Sequence, residues 1–337
     1  MSESGAAKLP KVAVIGTGGT ISSVGRHSRD LLDYVVNNRI YHIHELLSQV
    51  PETEEVARVV PVPFRAIPST AMGPAQWLEL NQLVHDLVHD DPEIDGVVIT
   101  HGTASLEETA YFLNLTLKVA VPVVVVGAQR PASGISTDAN ANLLNAVRVA
   151  GCPDSHGLGV VVVLNDEIHA ARDVTKTSTL KLHTFRSPDF GCLGHADADK
   201  VAYYRHPLRR RAPDTQFDVR GTKELPRVDI VMSYAGADGA AIRGCVDAGA
   251  QGIVSAGFAP GLSTQAQREV FAEYPELLVV QSSRVGSGRV AAMTGLRAVK
   301  TGAIADNLTP QKARVLLMLG LTVTREPDEL QRLFDEY

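Results

Sequence analysis

Short β-branched runs that stop at glycine alternate along this chain with longer stretches whose apolar residues recur every three or four positions. Val12 to Ile15 runs into Gly16-Thr17-Gly18-Gly19, the profile of a buried parallel strand entering a tight turn. Gly96 to Thr100 followed by His101-Gly102-Thr103 repeats it, as does Val121 to Val126 followed by Gly127. Helical patterns lie between them. Pro74 to Val88 sets Trp77, Leu78, Leu80, Leu83 and Leu87 on one broad face, with Pro74 suited to a first turn, and Leu106 to Leu117 follows. The alternation continues to about Leu164 and predicts an open parallel sheet covered by helices on both faces. Function in such sheets collects beyond the carboxyl ends of the strands, so the turns at 16–20 and 101–104 are where a site is expected.

From Asp199 to Pro226 the pattern dissolves into a charged, proline-containing stretch. A second, smaller set then begins: strands at Val228 to Met232, Gly252 to Ser255 and Leu277 to Gln281, helices over Gly239 to Ala248 and from Ser263, and a last helix from about Pro310 to Leu321. The expected organisation is an N-terminal domain over 1–200, a connection over 201–226 and a C-terminal α/β domain over 227–337. A length of 337 residues with 45% hydrophobic content agrees with two cores. There is no fixed-period repeat and no low-complexity tract.

Charge narrows the class. Thirty-two basic and thirty-eight acidic residues leave a net charge of -6, and the one basic run is Arg209-Arg210-Arg211, so nucleic acid is not an expected partner. No apolar run approaches the roughly 20 residues that span a bilayer. Met1 to Leu9 is polar and lacks the basic flank and apolar core of a secretion signal, which predicts a cytoplasmic protein with no membrane partner. Cys152, Cys192 and Cys245 are odd in number and have no ligand spacing; they are expected as small core residues in a reducing compartment, with no metal site.

Three segments offer chemistry. A hydroxyl nucleophile must be held rigidly, given a path for its proton and faced with a group that stabilises an oxyanion. Thr20, directly after Gly18 and Gly19, suits such a role, and the same turn suits a purely structural link between strand and helix. In His101-Gly102-Thr103-Ala104-Ser105, His101 is either a base or a residue that holds the turn by hydrogen bonds. Glu107 and Glu108 follow in a first helical turn, where acidic residues favour the helix dipole. Arg172-Asp173-Val174-Thr175-Lys176-Thr177 sets a lysine beyond the strand Val160 to Leu164. Solvated, it is a surface charge; desolvated, it is a base toward a neighbouring hydroxyl.

These segments, in this order, resemble the bacterial L-asparaginase family over nearly the whole chain. Thr17-Gly18-Gly19-Thr20-Ile21 is similar to the family's first signature, and His101-Gly102-Thr103 with Glu107-Glu108-Thr109-Ala110-Tyr111-Phe112 to its second. Further matches are Val126-Gly127-Ala128-Gln129-Arg130-Pro131, Arg172 to Thr177, Gly252-Ile253-Val254-Ser255-Ala256-Gly257 and Pro310 to Leu317. The resemblance implies a two-domain α/β fold of asparaginase type, no metal or organic cofactor, and a homotetramer built as a dimer of dimers with active sites between subunits. It implies Thr20 as the nucleophile that forms an acyl-enzyme, Thr103 and Lys176 as the second hydroxyl and its activating amine, and Tyr34, on a flap from Ser22 to Asn38, as the residue that assists Thr20. Gly19, Ser69, Thr70, Gly102 and Ala104 are the positions it assigns to substrate, with Ser69 on its carboxylate.

The departures converge on one task. Ala104 stands where the family has an aspartate that closes a Thr-Lys-Asp triad and pairs with the substrate's α-ammonium. Thr70 stands where a glutamine helps hold that ammonium, no acidic residue occurs from Gln281 to Ala305, where a neighbouring subunit's glutamate is expected, and an asparagine is missing near Ala259-Pro260-Gly261-Leu262. A buried ammonium without its partner costs several kcal/mol, about a hundredfold or more in binding. The expected function is therefore hydrolysis of an asparagine-like amide without a free α-ammonium: a succinamic-type monoamide, an N-substituted asparagine, or a cyclic imide or lactam. The alternatives are a genuine L-asparaginase whose amino pocket is rebuilt, with Asp30 or Asp33 on the flap as candidates, and a non-catalytic sensor of a small acid or amide.

Overall fold

The computed structural model describes residues 8–37, 39–292 and 302–337. Residues 1–7 of the polar start, Asn38 at the end of the expected flap, and 293–301 of the acid-free segment lie outside the described residues. The chain divides into two compact units, Met1–Ser187 with Gly191–Asp214, and Pro188–Phe190 with Thr215–Tyr337.

In the first unit β1 (Lys11–Gly16), β2 (Arg58–Pro63), β3 (Ile94–Thr100), β4 (Val123–Val126) and β5 (Val160–Leu164) are parallel. Parallel neighbours need a crossover, and two of these carry the helices α5 (Leu106–Thr116) and α6 (Ala139–Ala150). The register aligns Ala13, Val97, Val123 and Val160 in one row and Val14, Val98, Val124 and Val161 in the next. Successive rows point to opposite faces. The second row packs with Leu143, Ala146 and Val147 of α6. Both rows are buried, which explains why these strands read as unbroken apolar runs. The predicted helix from Pro74 is α4 (Pro74–Asp90), which packs on α5, where Trp77 stacks on Phe112 with ring centroids 5.3 Å apart.

Beyond β5 the sheet turns antiparallel through β6 (Glu167–Ala170), β9 (Gly194–Ala196) and β10 (Val201–Tyr203), giving the order β10-β9-β6-β5-β4-β3-β1-β2. A separate two-stranded ribbon, β7 (Thr175–Lys176) and β8 (Phe185–Arg186), leaves the sheet between them. Here the sequence reading is corrected: residues 201–203, expected in the connection, form the edge strand β10. Three residues are too few to show a period, and the strand is held by pairing to β9 and by the Tyr203 hydroxyl 2.7 Å from Ser155 Oγ.

The second unit holds an all-parallel sheet, β11 (Val228–Met232), β12 (Gly252–Gly257), β13 (Leu278–Ser283) and β14 (Gly302–Ile304). The helices α7 (Ala240–Asp247) and α8 (Gln265–Ala272) supply Ile242, Val270 and Phe271 to its core, and α9 (Pro310–Gly320) packs on three of its strands. The helix expected to be last is followed by α10 (Pro327–Glu336), whose Leu330, Leu333 and Phe334 form a narrow buried stripe on an otherwise charged helix. Among the described residues no helix is long and apolar enough to cross a membrane.

Candidate active site

Gly16 and Thr100 are register partners, so the turns after β1 and β3 leave the sheet side by side. The Thr17 hydroxyl donates to the Thr100 carbonyl at 2.6 Å and ties the two ends together. The chain then reverses through Gly18 at φ +90° and Gly19 at φ +86°, backbone that side chains with a Cβ rarely adopt. A Cβ on Gly19 would lie 2.3 Å from the Gly102 backbone, and one on Gly102 would lie 2.6 Å from Ser69 Oγ. Two glycines thus let three segments touch. Gly19→Ala is expected to push these turns apart and lower kcat/KM by about a hundredfold, read by steady-state kinetics on a variant whose melting curve shows that it folds.

The same approach gathers the side chains. The Thr20 hydroxyl lies 2.8 Å from the hydroxyl of Tyr34, the first residue of the short helix α1 (Tyr34–Asn37). (The helices between α1 and α4, α2 over Ile43–Ser48 and α3 over Thr53–Val56, lie away from this site.) Lys176, on β7, donates from Nζ to Thr103 Oγ1 at 2.7 Å. Ser69 Oγ accepts the Ala104 N–H at 3.3 Å, and its carbonyl accepts the Ser105 hydroxyl at 2.6 Å. Thr20, Tyr34, Thr103 and Lys176, with Gly19, Ser69, Thr70, Gly102 and Ala104, all line one cavity of about 450 Å³. Partial burial holds the Lys176 ammonium below the ordinary lysine range, and the negative charge of Glu107, in the first turn of α5, opposes that shift.

Three residues weighed from the sequence take other places. His101 is fully buried and absent from the cavity wall. Its Nδ1 lies 2.8 Å from the Gly102 carbonyl, and its Nε2 lies 2.9 Å from Thr109 Oγ1, which accepts the Trp77 indole N–H. Burial pushes this imidazole down to about 4, so it is neutral and holds the turn. Asp30 is buried against Arg26, accepting its backbone N–H at 3.0 Å, and is held below the usual carboxylate range by that bond and the guanidinium. Asp33 lies 3.9 Å from the same guanidinium. Neither carboxylate reaches the wall, which among the described residues includes no Asp or Glu.

Among the wall residues that escaped the sequence reading, the charged one is Arg39, which follows α1. No periodicity marks this part of the flap, so nothing local announced it. The segment is tied back by Val24 N–H to the Arg39 carbonyl at 2.9 Å and by Asn37 Nδ2 to the Val24 carbonyl at 2.8 Å. Among the described residues no group of three or more His, Cys, Asp or Glu could hold a metal, and Cys152, Cys192 and Cys245 are free thiols.

Comparison with known proteins places the chain in a family. Residues 11–209 match the family described as asparaginase, N-terminal, and residues 227–334 the glutaminase/asparaginase C-terminal domain. The chain is 41% identical over 341 residues to L-asparaginase 2 of Escherichia coli (strain K12), an alignment covering 100% of this chain and 96% of that one. It is 37% identical to a glutaminase-asparaginase of Pseudomonas fluorescens biotype A, over 98% and 91% of the two chains. The crystal structure of a probable cytoplasmic L-asparaginase from Campylobacter jejuni matches it with a TM-score of 0.92 and 39% identity, over 97% of this chain and 100% of that one. Matched along both of its units and over nearly its full length, the chain belongs to the asparaginase family of amidohydrolases.

Proposed function

We propose that this amidohydrolase uses Thr20 as its nucleophile and acts on an amide placed like that of asparagine but without a free α-ammonium. A succinamic-type monoamide, an N-substituted asparagine, and a cyclic imide or lactam meet that description. The observation that carries the reading is the cavity wall itself: Thr20, Thr103 and Lys176 stand on it together with Ala104, and with no carboxylate among the described residues. Its cationic members are Lys176 and Arg39, which suit an acidic substrate and repel an ammonium.

The chemistry follows from the hydroxyls. Thr20 Oγ1 attacks the amide carbon while its proton passes to the Tyr34 oxygen 2.8 Å away and from there to the departing nitrogen. The C–N bond breaks, ammonia or an amine leaves from a linear amide (in a cyclic imide or lactam the ring opens and the nitrogen stays tethered), and an ester joins the acyl group to Thr20. Water then attacks that ester. Its proton goes to Thr103 Oγ1 as the Thr103 proton moves to a neutral Lys176, 2.7 Å away. The ester opens, the proton held on Lys176 returns to the Thr20 oxygen so that the amine is neutral again, and the acid departs.

A second reading, hydrolysis of L-asparagine itself, is favoured by the names of the relatives. Release of ammonia from asparagine, glutamine, succinamate and N-acylated asparagine, with ring opening of small cyclic imides followed alongside, separates the two. The expected result is a kcat/KM for the best ammonium-free amide about a hundredfold above that for asparagine, the discrimination of one unpaired charge. Brisk asparagine turnover with a low KM would overturn the substrate claim.

A further inference from the structure

Alanine stands at 104, where the family resemblance implies an aspartate as third member with Thr103 and Lys176, and the geometry behind Thr103 supplies another candidate. An ammonium has only donors, so at 2.7 Å from Lys176 Nζ the Thr103 oxygen accepts, and its own proton needs a different acceptor. Gln129 Oε1, 3.4 Å away, is the acceptor for it. The orientation of that amide is decided by its other end. Gln129 Nε2 lies 3.1 Å from the Lys181 carbonyl, which can only accept, so the oxygen faces Thr103.

Position as well as chemistry favours Gln129. It follows the end of β4, where its N–H and that of Arg130 are both held at 2.9 Å by the Asp138 carboxylate. The turn it leaves is pressed close: a Cβ on Gly127 would lie 3.1 Å from Thr103 Cγ2. Lys181 sits in the loop between β7 and β8, the ribbon that carries Lys176. One side chain therefore bridges the turn that holds Thr103 and the ribbon that holds Lys176, from outside the cavity wall.

We propose that Gln129 is a positioning residue for turnover, the uncharged third member of a set with Thr103 and Lys176. This rests on the reading that Thr103 and Lys176 act in deacylation. A carboxylate in the third place does two things, holding the pair and attracting an ammonium into the cavity. A neutral amide behind Thr103 does the first without the second, which fits a substrate that has no ammonium to bind. At 3.4 Å the contact is longer than a strong O–H···O bond of about 2.7 Å; it directs the hydroxyl rather than locking it.

The sign of the pH effect follows. With the Gln129 acceptor in place, the Thr103 proton points away and its lone pair faces the ammonium, so the charged lysine is favoured. Removing the acceptor favours the neutral amine, and the rising limb of the pH profile moves to lower pH. The test compares wild type, Gln129→Met, Gln129→Met with Ala104→Asp, and Lys176→Met on succinamate and asparagine, with melting curves for each. Gln129→Met is expected to lower the pH-independent plateau of kcat about 10- to 100-fold with KM within about threefold, because the Thr103 turn and the Lys176 ribbon lose the side chain that bridges them, while the limb shifts downward as the neutral amine is favoured. Adding Ala104→Asp is expected to restore at least about tenfold of that kcat, because a carboxylate again holds the pair. Wild-type kcat and pH profile in Gln129→Met would overturn the inference, as would a loss that neither shifts the limb nor responds to Ala104→Asp. If Lys176→Met itself keeps wild-type kcat, the reading of the pair fails and Gln129 falls with it. If Lys176→Met is crippled while Gln129→Met is not, the Gln129 inference alone falls.

Discussion

Replacing Thr20 with alanine is expected to lower kcat/KM by about four orders of magnitude on every amide the wild type hydrolyses. The substitution removes the atom that forms the acyl ester. Thr103, one of the other hydroxyls on the wall, already accepts from Lys176 and is assigned to the water step, so it does not replace the lost nucleophile. The fold is expected to survive, because Thr20 is only partly buried and, among the described residues, its hydroxyl bonds to Tyr34 rather than to the contacts that fix this turn. Release assays and melting curves check both halves, and hydroxylamine trapping adds a direct view of the acyl-enzyme. Trapped hydroxamate should form in wild type and vanish in Thr20→Ala. Undiminished turnover in the variant would remove Thr20 from its role, and an absence of any trapped product or turnover in the wild type would favour the sensor.

Lys176→Met is expected to cost about a thousandfold in kcat, within the range that general acid-base groups contribute. Its mark is a changed pH profile rather than the loss alone. Burial lowers this lysine from its ordinary value of 10.5 by disfavouring the ammonium, and the Glu107 carboxylate only partly offsets that. The neutral amine is the form that accepts a proton from Thr103. The rate should therefore rise with pH until the lysine is deprotonated, then level, and the rise should begin below the range of a solvated lysine. In Lys176→Met the rise is absent. Ala104→Asp, by adding negative charge beside Thr103, should move the rise to higher pH; a profile that ignores both substitutions would show that another group carries the proton.

Much of this architecture is legible in local pattern. The β-branched runs at Val12, Gly96 and Val121 are β1, β3 and β4, and the glycine turns after the first two carry the site, because strands buried on both faces must be apolar throughout and their ends must turn sharply. Element boundaries moved by a residue or two: Pro122 cannot donate to a ladder, and β4 begins at Val123. The elements that escaped are those held by distant partners. β10 is three residues long and exists through its pairing with β9, and α10 hides a three-residue apolar stripe in a charged run.

The chain order of Thr20, Thr103 and Lys176, their residue types, and the alanine at 104 are properties of the sequence, and through the family resemblance they carry the expectation of a hydroxyl nucleophile, a lysine base and an altered amino pocket. Which groups meet was decided by tertiary structure. Close packing of Gly19 on Gly102 brings two turns 83 positions apart into contact, as the β1 and β3 register requires. In the folded chain His101 lies in the core as a neutral turn-holder, Asp30 pairs with Arg26 away from the cavity wall, and Gln129 sits behind Thr103. Local periodicity records only whether a position faces the core or solvent. Contacts between residues far apart in the chain depend on strand order, register and the path of loops, so the roles of His101, Asp30 and Gln129 emerged only when the chain was folded.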